Sequence, residues 1–128
     1  MSLPTTLRWF QAREFRHPAL VDAEAARFLD AVRDTYGAPL VLTSDARTPE
    51  ENAAAQGSSP TSLHLHGRAF DLRWIPDPEA LWRLVDAVYL VAGMNPVELE
   101  LVNSQQDQHI HLACLPTGRV SRLLIRAD

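Results

Sequence analysis

The chain has 128 residues, which suits one domain with a continuous core, and we expect a single domain over residues 1–128. Hydrophobic residues make up 46% and charged residues 22%, a composition that excludes a disordered chain. The formal net charge of -4 without a dense basic cluster argues against nucleic acid as a partner, and no apolar run is long enough to cross a membrane.

Two further features concern the compartment. The N-terminal sequence MSLPTTLRWFQAREF lacks the basic segment, apolar stretch and small-residue cleavage site of a secretory signal. We therefore expect a cytoplasmic product, which reaches any external substrate through lysis or on a phage particle. The single cysteine, Cys114, cannot form an internal disulfide, and its apolar surroundings predict a buried, unreactive thiol.

The first predicted elements are a helix and a strand. Apolar side chains recur three and four residues apart over residues 23–36, and this spacing indicates a helix with one buried face. Asp22 is well suited to cap this helix and Gly37 to end it. Residues 39–44, PLVLTS, then predict a short strand that enters the interior.

A second, shorter helix is predicted over residues 48–57. Thr48 and Glu51 have the spacing of a capping box, and Gly57 is a typical stop. The polar composition of this helix predicts a surface position. The sequence GSSPTS at 57–62 is rich in turn formers and predicts an exposed loop.

The second half of the chain is dominated by strands. One strong helix is predicted over 77–93, with Asp77 as its cap and Gly93 at its end. Alternating or apolar stretches predict four strands, at 68–74, 97–102, 109–115 and 121–126. The order of these elements predicts an α+β domain with a central, mostly antiparallel sheet and helices packed on it.

Groups able to bind a metal are concentrated in two stretches, SLHLHGRAFD at 62–71 and HIH at 109–111. Histidine and carboxylate are ligands of zinc, yet histidines in a strand are also common as plain polar surface residues. Spacing alone does not choose among four candidates: His64, His66, His109 and His111.

Strand geometry explains how the two stretches could form one site. Residues two apart on a strand share a face, so His109 and His111 lie together, and Asp71 lies on the less apolar face of its own strand. Gly67 accepts backbone angles that other residues resist, and a turn there can bring His64 over Asp71. Three N/O ligands with an open fourth position are typical of catalytic zinc.

The first stretch resembles a known signature. It matches the S-x-H-x-x-G-x-A-x-D pattern of the zinc D-alanyl-D-alanine carboxypeptidase and L-alanyl-D-glutamate endopeptidase family, and HIH resembles the family's H-x-H element. Upstream, WFQAREF and YGAPLVLTSDARTPEEN resemble the family's N-terminal segment and its T-S-x-x-R region. The resemblance covers roughly residues 9–113 in the family's order. It implies the α+β fold that these peptidases share with the hedgehog signalling domain.

Carried over residue by residue, the resemblance implies that His64, Asp71 and His111 bind Zn2+. It places His109 beside the metal, as a base or as a stabiliser of the tetrahedral intermediate. Arg47 matches the family arginine that orients the substrate or stabilises charge near the scissile bond; the alternative is a surface arginine at a helix start.

Several further polar residues lie in or near the predicted site or on the surface. Ser62 is implied to hydrogen bond near the metal, and the alternative is an ordinary turn serine. His66 has no family role and is expected either in solvent or in contact with a metal ligand, and His17 is expected on the N-terminal surface. Glu98 and Glu100 share one face of their strand, which we expect to be solvated.

The chain departs from the family at one position. Several members carry a carboxylate three residues before the last zinc histidine as general base, whereas this chain has Gln108, which cannot accept a proton from water. The side chain of Asp107 is expected to point to the opposite face if the strand has begun there. His109 is therefore the candidate base, and loss of activity is the alternative.

The implied reaction is hydrolysis of an amide bond in peptidoglycan stem peptides, by a DD-carboxypeptidase or an L-Ala-D-Glu-type endopeptidase. The carboxylates of these peptides give Arg47 a plausible target. One alternative, favoured by Gln108, is a zinc-containing structural or wall-binding module that contacts phage-particle proteins. A second alternative is a cytoplasmic dipeptidase that acts on recycled wall fragments.

Overall fold

In the computed structural model, residues 7–55 and 62–127 are described, and they contain one five-stranded sheet. Its strands are β1 (Leu42–Ser44), β2 (Ala69–Arg73), β3 (Val97–Asn103), β4 (Gln108–Cys114) and β5 (Arg122–Ala127). Their order across the sheet is β1-β2-β4-β3-β5, and all pairs are antiparallel except β3 and β5. The predicted α+β class with a mostly antiparallel sheet is confirmed.

Three α-helices accompany the sheet in these residues: α1 (Ala23–Tyr36), α2 (Pro49–Ala54) and α3 (Pro78–Ala92). Each begins at a side chain that accepts a backbone N–H of the first turn, namely Asp22, Thr48 or Asp77. Such a cap contributes about 1 kcal/mol to the stability of its helix. The predicted bounds of α1 and α3 are confirmed. The prediction that α2 continues to Gly57 is wrong, because the helix ends at Ala54 with Ala55 as its C-cap. Gly57 and the predicted loop up to residue 61 lie outside the described residues.

The two long helices cover one face of the sheet. Leu29 of α1 and Val88 of α3 are fully buried in one apolar cluster with Phe70, Leu99 and Leu112 from the three central strands. Burial of each large apolar side chain contributes about 1.5–3 kcal/mol. Because side chains alternate along a strand, the residues between these positions face the uncovered side of the sheet, where the polar groups lie.

Both edge strands differ from a buried strand. The stretch predicted as a strand that enters the interior pairs only over Leu42–Ser44, and it forms an edge of the sheet with Val41 42% exposed. Of this apolar run, Leu40 is buried in the core and Leu42 is partly buried against it. At the other edge, Leu123 and Ile125 of β5, which pair with the buried Leu99 and Leu101 of β3, are 41% and 61% exposed.

Two remaining expectations concern the helices and the cysteine. Among the residues that the structure describes, no helix is long and apolar enough to span a membrane.

Cys114 is half-buried rather than fully buried. Burial raises the pKa of its thiol to about 11, which keeps the thiol protonated and poorly nucleophilic at neutral pH.

Candidate metal centre

His64, Asp71 and His111 meet at one point on the polar face of the sheet. Asp71 of β2 and His111 of β4 are direct cross-strand partners, and His64 lies in the 3-10 turn that precedes β2. Oδ1 of Asp71 is 3.5 Å from Nε2 of His64 and 3.2 Å from Nδ1 of His111. The possible ligand atoms of the three residues lie within 4.8 Å of one another, close enough to bind one metal ion.

The turn that carries His64 has two local requirements. Ser62 precedes it, and the Oγ atom of Ser62 accepts a hydrogen bond from the backbone N–H of His64. Gly67 ends it with a φ of 68°, in the left-handed region that favours glycine. A Cβ atom at Gly67 would also collide with the carbonyl oxygen of Leu20, so the turn is packed directly against the segment before α1.

His64 is buried and its ring is held in one orientation. Nδ1 donates a hydrogen bond to the main-chain carbonyl of Asp45, with an N···O distance of 2.7 Å. When the ring is neutral, its lone pair is therefore on Nε2, the nitrogen that faces Asp71. Histidines that bind metals commonly donate their other ring N–H to a carbonyl or carboxylate, and His64 fits this pattern.

His111 lies between two carboxylates. Its Nδ1 faces Asp71, and its Nε2 is 3.2 Å from Oε1 of Glu98 on β3. Burial disfavours the charged ring, but hydrogen bonds to Asp71 and Glu98 outweigh burial and raise the pKa of His111 to about 9. The expectation that Glu98 lies on a plainly solvated face is wrong, since its side chain is only 20% exposed and contacts a predicted ligand.

The carboxylate of Asp71 is kept ionised. Burial would raise its pKa, but hydrogen bonds from His111 and His64 and their positive charge hold the pKa of Asp71 well below its usual range. Two imidazole nitrogens and one carboxylate oxygen at this spacing are a donor set that suits zinc. A divalent cation would replace the protons that now balance the charge of Asp71.

A cleft of about 1090 Å3 opens beside these three residues. Arg47 lines it, with one guanidinium nitrogen 3.7 Å from Oδ2 of Asp71 and another donating to Asn52 of α2. The backbone N–H of Arg47 also donates to the carbonyl of His64. Arg47 therefore lies beside the candidate ligands, with its side chain mostly buried, rather than on the open surface.

His109 lies on the same face of β4 as His111, and it too lines the cleft. Nδ1 of His109 is 3.0 Å from Oδ1 of Asp107. Asp107 was expected to point away only if the strand had begun there, and this condition is not met, because β4 begins at Gln108 and Asp107 still belongs to the preceding turn. Gln108 itself donates to Asn103 at the end of β3, with a distance of 2.6 Å.

The other two histidines lie outside this cluster. His66 is exposed, as expected. His17 is half-buried, and its Nε2 is 2.7 Å from Oε1 of Glu51 in the capping box of α2. Beside it, the buried carboxylate of Asp45 accepts the backbone N–H groups of Arg16 and His17. These contacts join the N-terminal segment to the loop whose carbonyl orients His64, and nothing local in the sequence indicates them.

Two histidines and an aspartate around one point, beside an open cleft, define a candidate centre for a single catalytic metal ion. The family model described as Peptidase M15 matches residues 5–113, and the chain belongs to this peptidase family. The matched range includes all three candidate ligands as well as Arg47 and His109. No curated protein and no solved structure matches the chain.

Proposed function

We propose that this member of the M15 peptidases is a zinc-dependent enzyme that hydrolyses an amide bond in peptidoglycan stem peptides. The observation that carries the proposal is the convergence of His64, Asp71 and His111 beside a cleft large enough for a peptide. In this proposal the three residues hold zinc, through Nε2 of His64, a carboxylate oxygen of Asp71 and Nδ1 of His111.

Zinc held by these three residues would supply a water molecule with a pKa of about 7 and would polarise the scissile carbonyl. The protein then has to move one proton from the water to the leaving amine. His109 is the proposed carrier. Its Nδ1–H is donated to Asp107, which leaves the lone pair on Nε2 free to accept a proton.

The glutamine at the family's carboxylate position does not remove every base from the cleft. Gln108 is neutral and its side-chain amide donates a hydrogen bond to Asn103, so it has no part in the proposed proton transfer. The Asp107–His109 pair supplies a group that can both accept and return a proton. Because Asp107 is 62% exposed, we assign it an orienting contribution that is smaller than the role of His109 itself.

Arg47 is proposed to bind a carboxylate of the substrate. Its guanidinium lies next to Asp71 at the cleft, and a peptide carboxylate there would form a charge-assisted hydrogen bond. Stem peptides carry such carboxylates at their termini and side chains. Ser62 positions the turn, because its Oγ accepts a hydrogen bond from the backbone N–H of His64.

The proposal is tested by incubating the zinc-loaded protein with muropeptides and identifying the products by mass spectrometry. Loss of D-alanine from the stem indicates a carboxypeptidase, and a new amine inside the stem indicates an endopeptidase. The second candidate is a zinc-binding structural or wall-binding module, which Gln108 favours because it replaces the family carboxylate. That candidate predicts bound zinc and intact muropeptides.

A further inference from the structure

Glu98 lies on the far side of the His111 ring from the candidate metal position. The two ring nitrogens of His111 face two different carboxylates, since Nδ1 is 3.2 Å from Asp71 and Nε2 is 3.2 Å from Glu98. A neutral imidazole carries one N–H and one lone pair. If Glu98 accepts the Nε2–H, the lone pair must be on Nδ1, the nitrogen in the ligand cluster.

The position of Glu98 is itself fixed. Its other carboxylate oxygen is 3.3 Å from a guanidinium nitrogen of Arg122 on β5, which pairs with Glu98 in the parallel β3–β5 ladder. By register, however, the residue of β3 directly opposite His111 is Glu100. The carboxylate of Glu100 is paired with Arg126 instead. Two acidic residues on one strand face thus differ in their relation to the ligand.

We propose that Glu98 is a positioning residue of the metal centre, which fixes His111 in the tautomer that presents Nδ1 to zinc. The inference rests on the zinc site proposed above. In each of the two histidine ligands, the ring nitrogen that does not face the metal then donates to an oxygen. For His64 this oxygen is the main-chain carbonyl of Asp45, and for His111 it is the side chain of Glu98. Of these two supports, only the one on His111 can be removed by substitution.

Loss of such a partner weakens metal binding by about 10- to 100-fold. We expect this loss for Glu98→Ala. Glu98→Gln keeps a carbonyl oxygen that can accept the Nε2–H, so its affinity for zinc should lie between those of the wild type and Glu98→Ala. Glu100→Ala removes the same charge from the same face of β3 and should bind zinc as the wild type does, within twofold.

The experiment is a competition titration of zinc between the full-length protein and a chromophoric chelator, with circular dichroism to confirm that each variant is folded. Equal affinities of Glu98→Ala and Glu100→Ala would overturn the inference while leaving the zinc site intact. A wild type that takes no zinc would overturn the inference and the proposed function together.

A second measurement needs no variant. In the zinc-loaded wild type, two-bond proton-nitrogen correlations of a 15N-histidine sample report which ring nitrogen of His111 carries a proton. The proposal predicts a protonated Nε2 and a metal-bound Nδ1. A metal-bound Nε2 would contradict it, whatever the affinity of Glu98→Ala.

Discussion

Nδ1 of His111 lies 3.2 Å from Oδ1 of Asp71, and the two residues are direct partners in the ladder between β4 and β2. Backbone hydrogen bonds of the sheet therefore fix two of the three candidate ligands relative to each other. The third ligand, His64, is positioned by a 3-10 turn, and the end of this turn requires Gly67.

Gly67→Ala should destabilise the fold more than Gly37→Ala does. Both glycines have positive φ, 68° and 82°, and alanine in the left-handed region costs about 1–2 kcal/mol. At Gly37 an added Cβ meets open space, whereas at Gly67 it collides with the carbonyl of Leu20. Urea unfolding of the two variants measures the difference, and equal losses would show that the close approach to Leu20 is absent.

The stability of the metal-free protein should fall between about pH 6.5 and pH 9. The folded pKa of His111, about 9, lies above its ordinary value of 6.5, so its protonation stabilises the fold fully below pH 6.5. This contribution is lost as the pH rises through 9, with a slope of at most about 1.4 kcal/mol per pH unit. Chemical unfolding in the presence of a chelator measures it.

His111→Gln is the matched control, since it removes this titration and should flatten the fall in stability. Zinc must displace the proton of His111, so the affinity for zinc should rise over the same pH window. An unchanged pH dependence in His111→Gln would show that another group is responsible.

Asp107→Ala should lower kcat on muropeptides by about 10-fold without loss of zinc, because His109 would no longer be held with Nε2 free. His109→Ala should lower kcat further, by about 100- to 10,000-fold. Gln108→Ala provides the control: its side chain contacts Asn103 rather than His109, and its kcat should stay within twofold of wild type. A larger loss from Gln108→Ala than from Asp107→Ala would reverse the assignment.

Arg47→Ala should lower kcat/KM for a peptide with a free carboxylate by about 10- to 100-fold, the value of a hydrogen bond to a charged group. The same peptide with that carboxylate amidated is the control. It should be a poor substrate of the wild type and should lose little further in the variant. Equal losses on both peptides would indicate that Arg47 supports the site rather than the substrate, through its contacts to Asp71 and Asn52.

Local signals were sufficient for most of the fold. The caps at Asp22 and Asp77 and the glycines after the helices set the bounds of α1 and α3, because each acts within one turn of the chain. Alternation alone placed Asp71 on the less apolar face of β2, whereas the neighbouring Phe70 points to the buried face. The edge position of β1 was missed because an apolar run does not reveal how many strands pair beside it.

Contacts that depend on register could not be predicted in the same way. Alternation put Glu98 on a polar face, but only the pairing of β3 with β4 and β5 brings it between His111 and Arg122. The direction of Asp107 stayed conditional in the sequence, because it depends on whether β4 begins one residue earlier or later. The contact of Glu98 with His111 therefore depends on strand register, whereas the contact of Asp107 with His109 is local and depends on where β4 begins.

The proposed zinc-dependent hydrolysis is tested most directly by digestion of muropeptides with wild-type protein that carries one equivalent of zinc, compared with chelator-treated protein and with His111→Ala. We expect the wild type to release D-alanine or expose a new amine. We expect a chelator to abolish this activity and added zinc to restore it, and His111→Ala to retain little metal or activity. Intact muropeptides after incubation with the zinc-loaded wild type would contradict it.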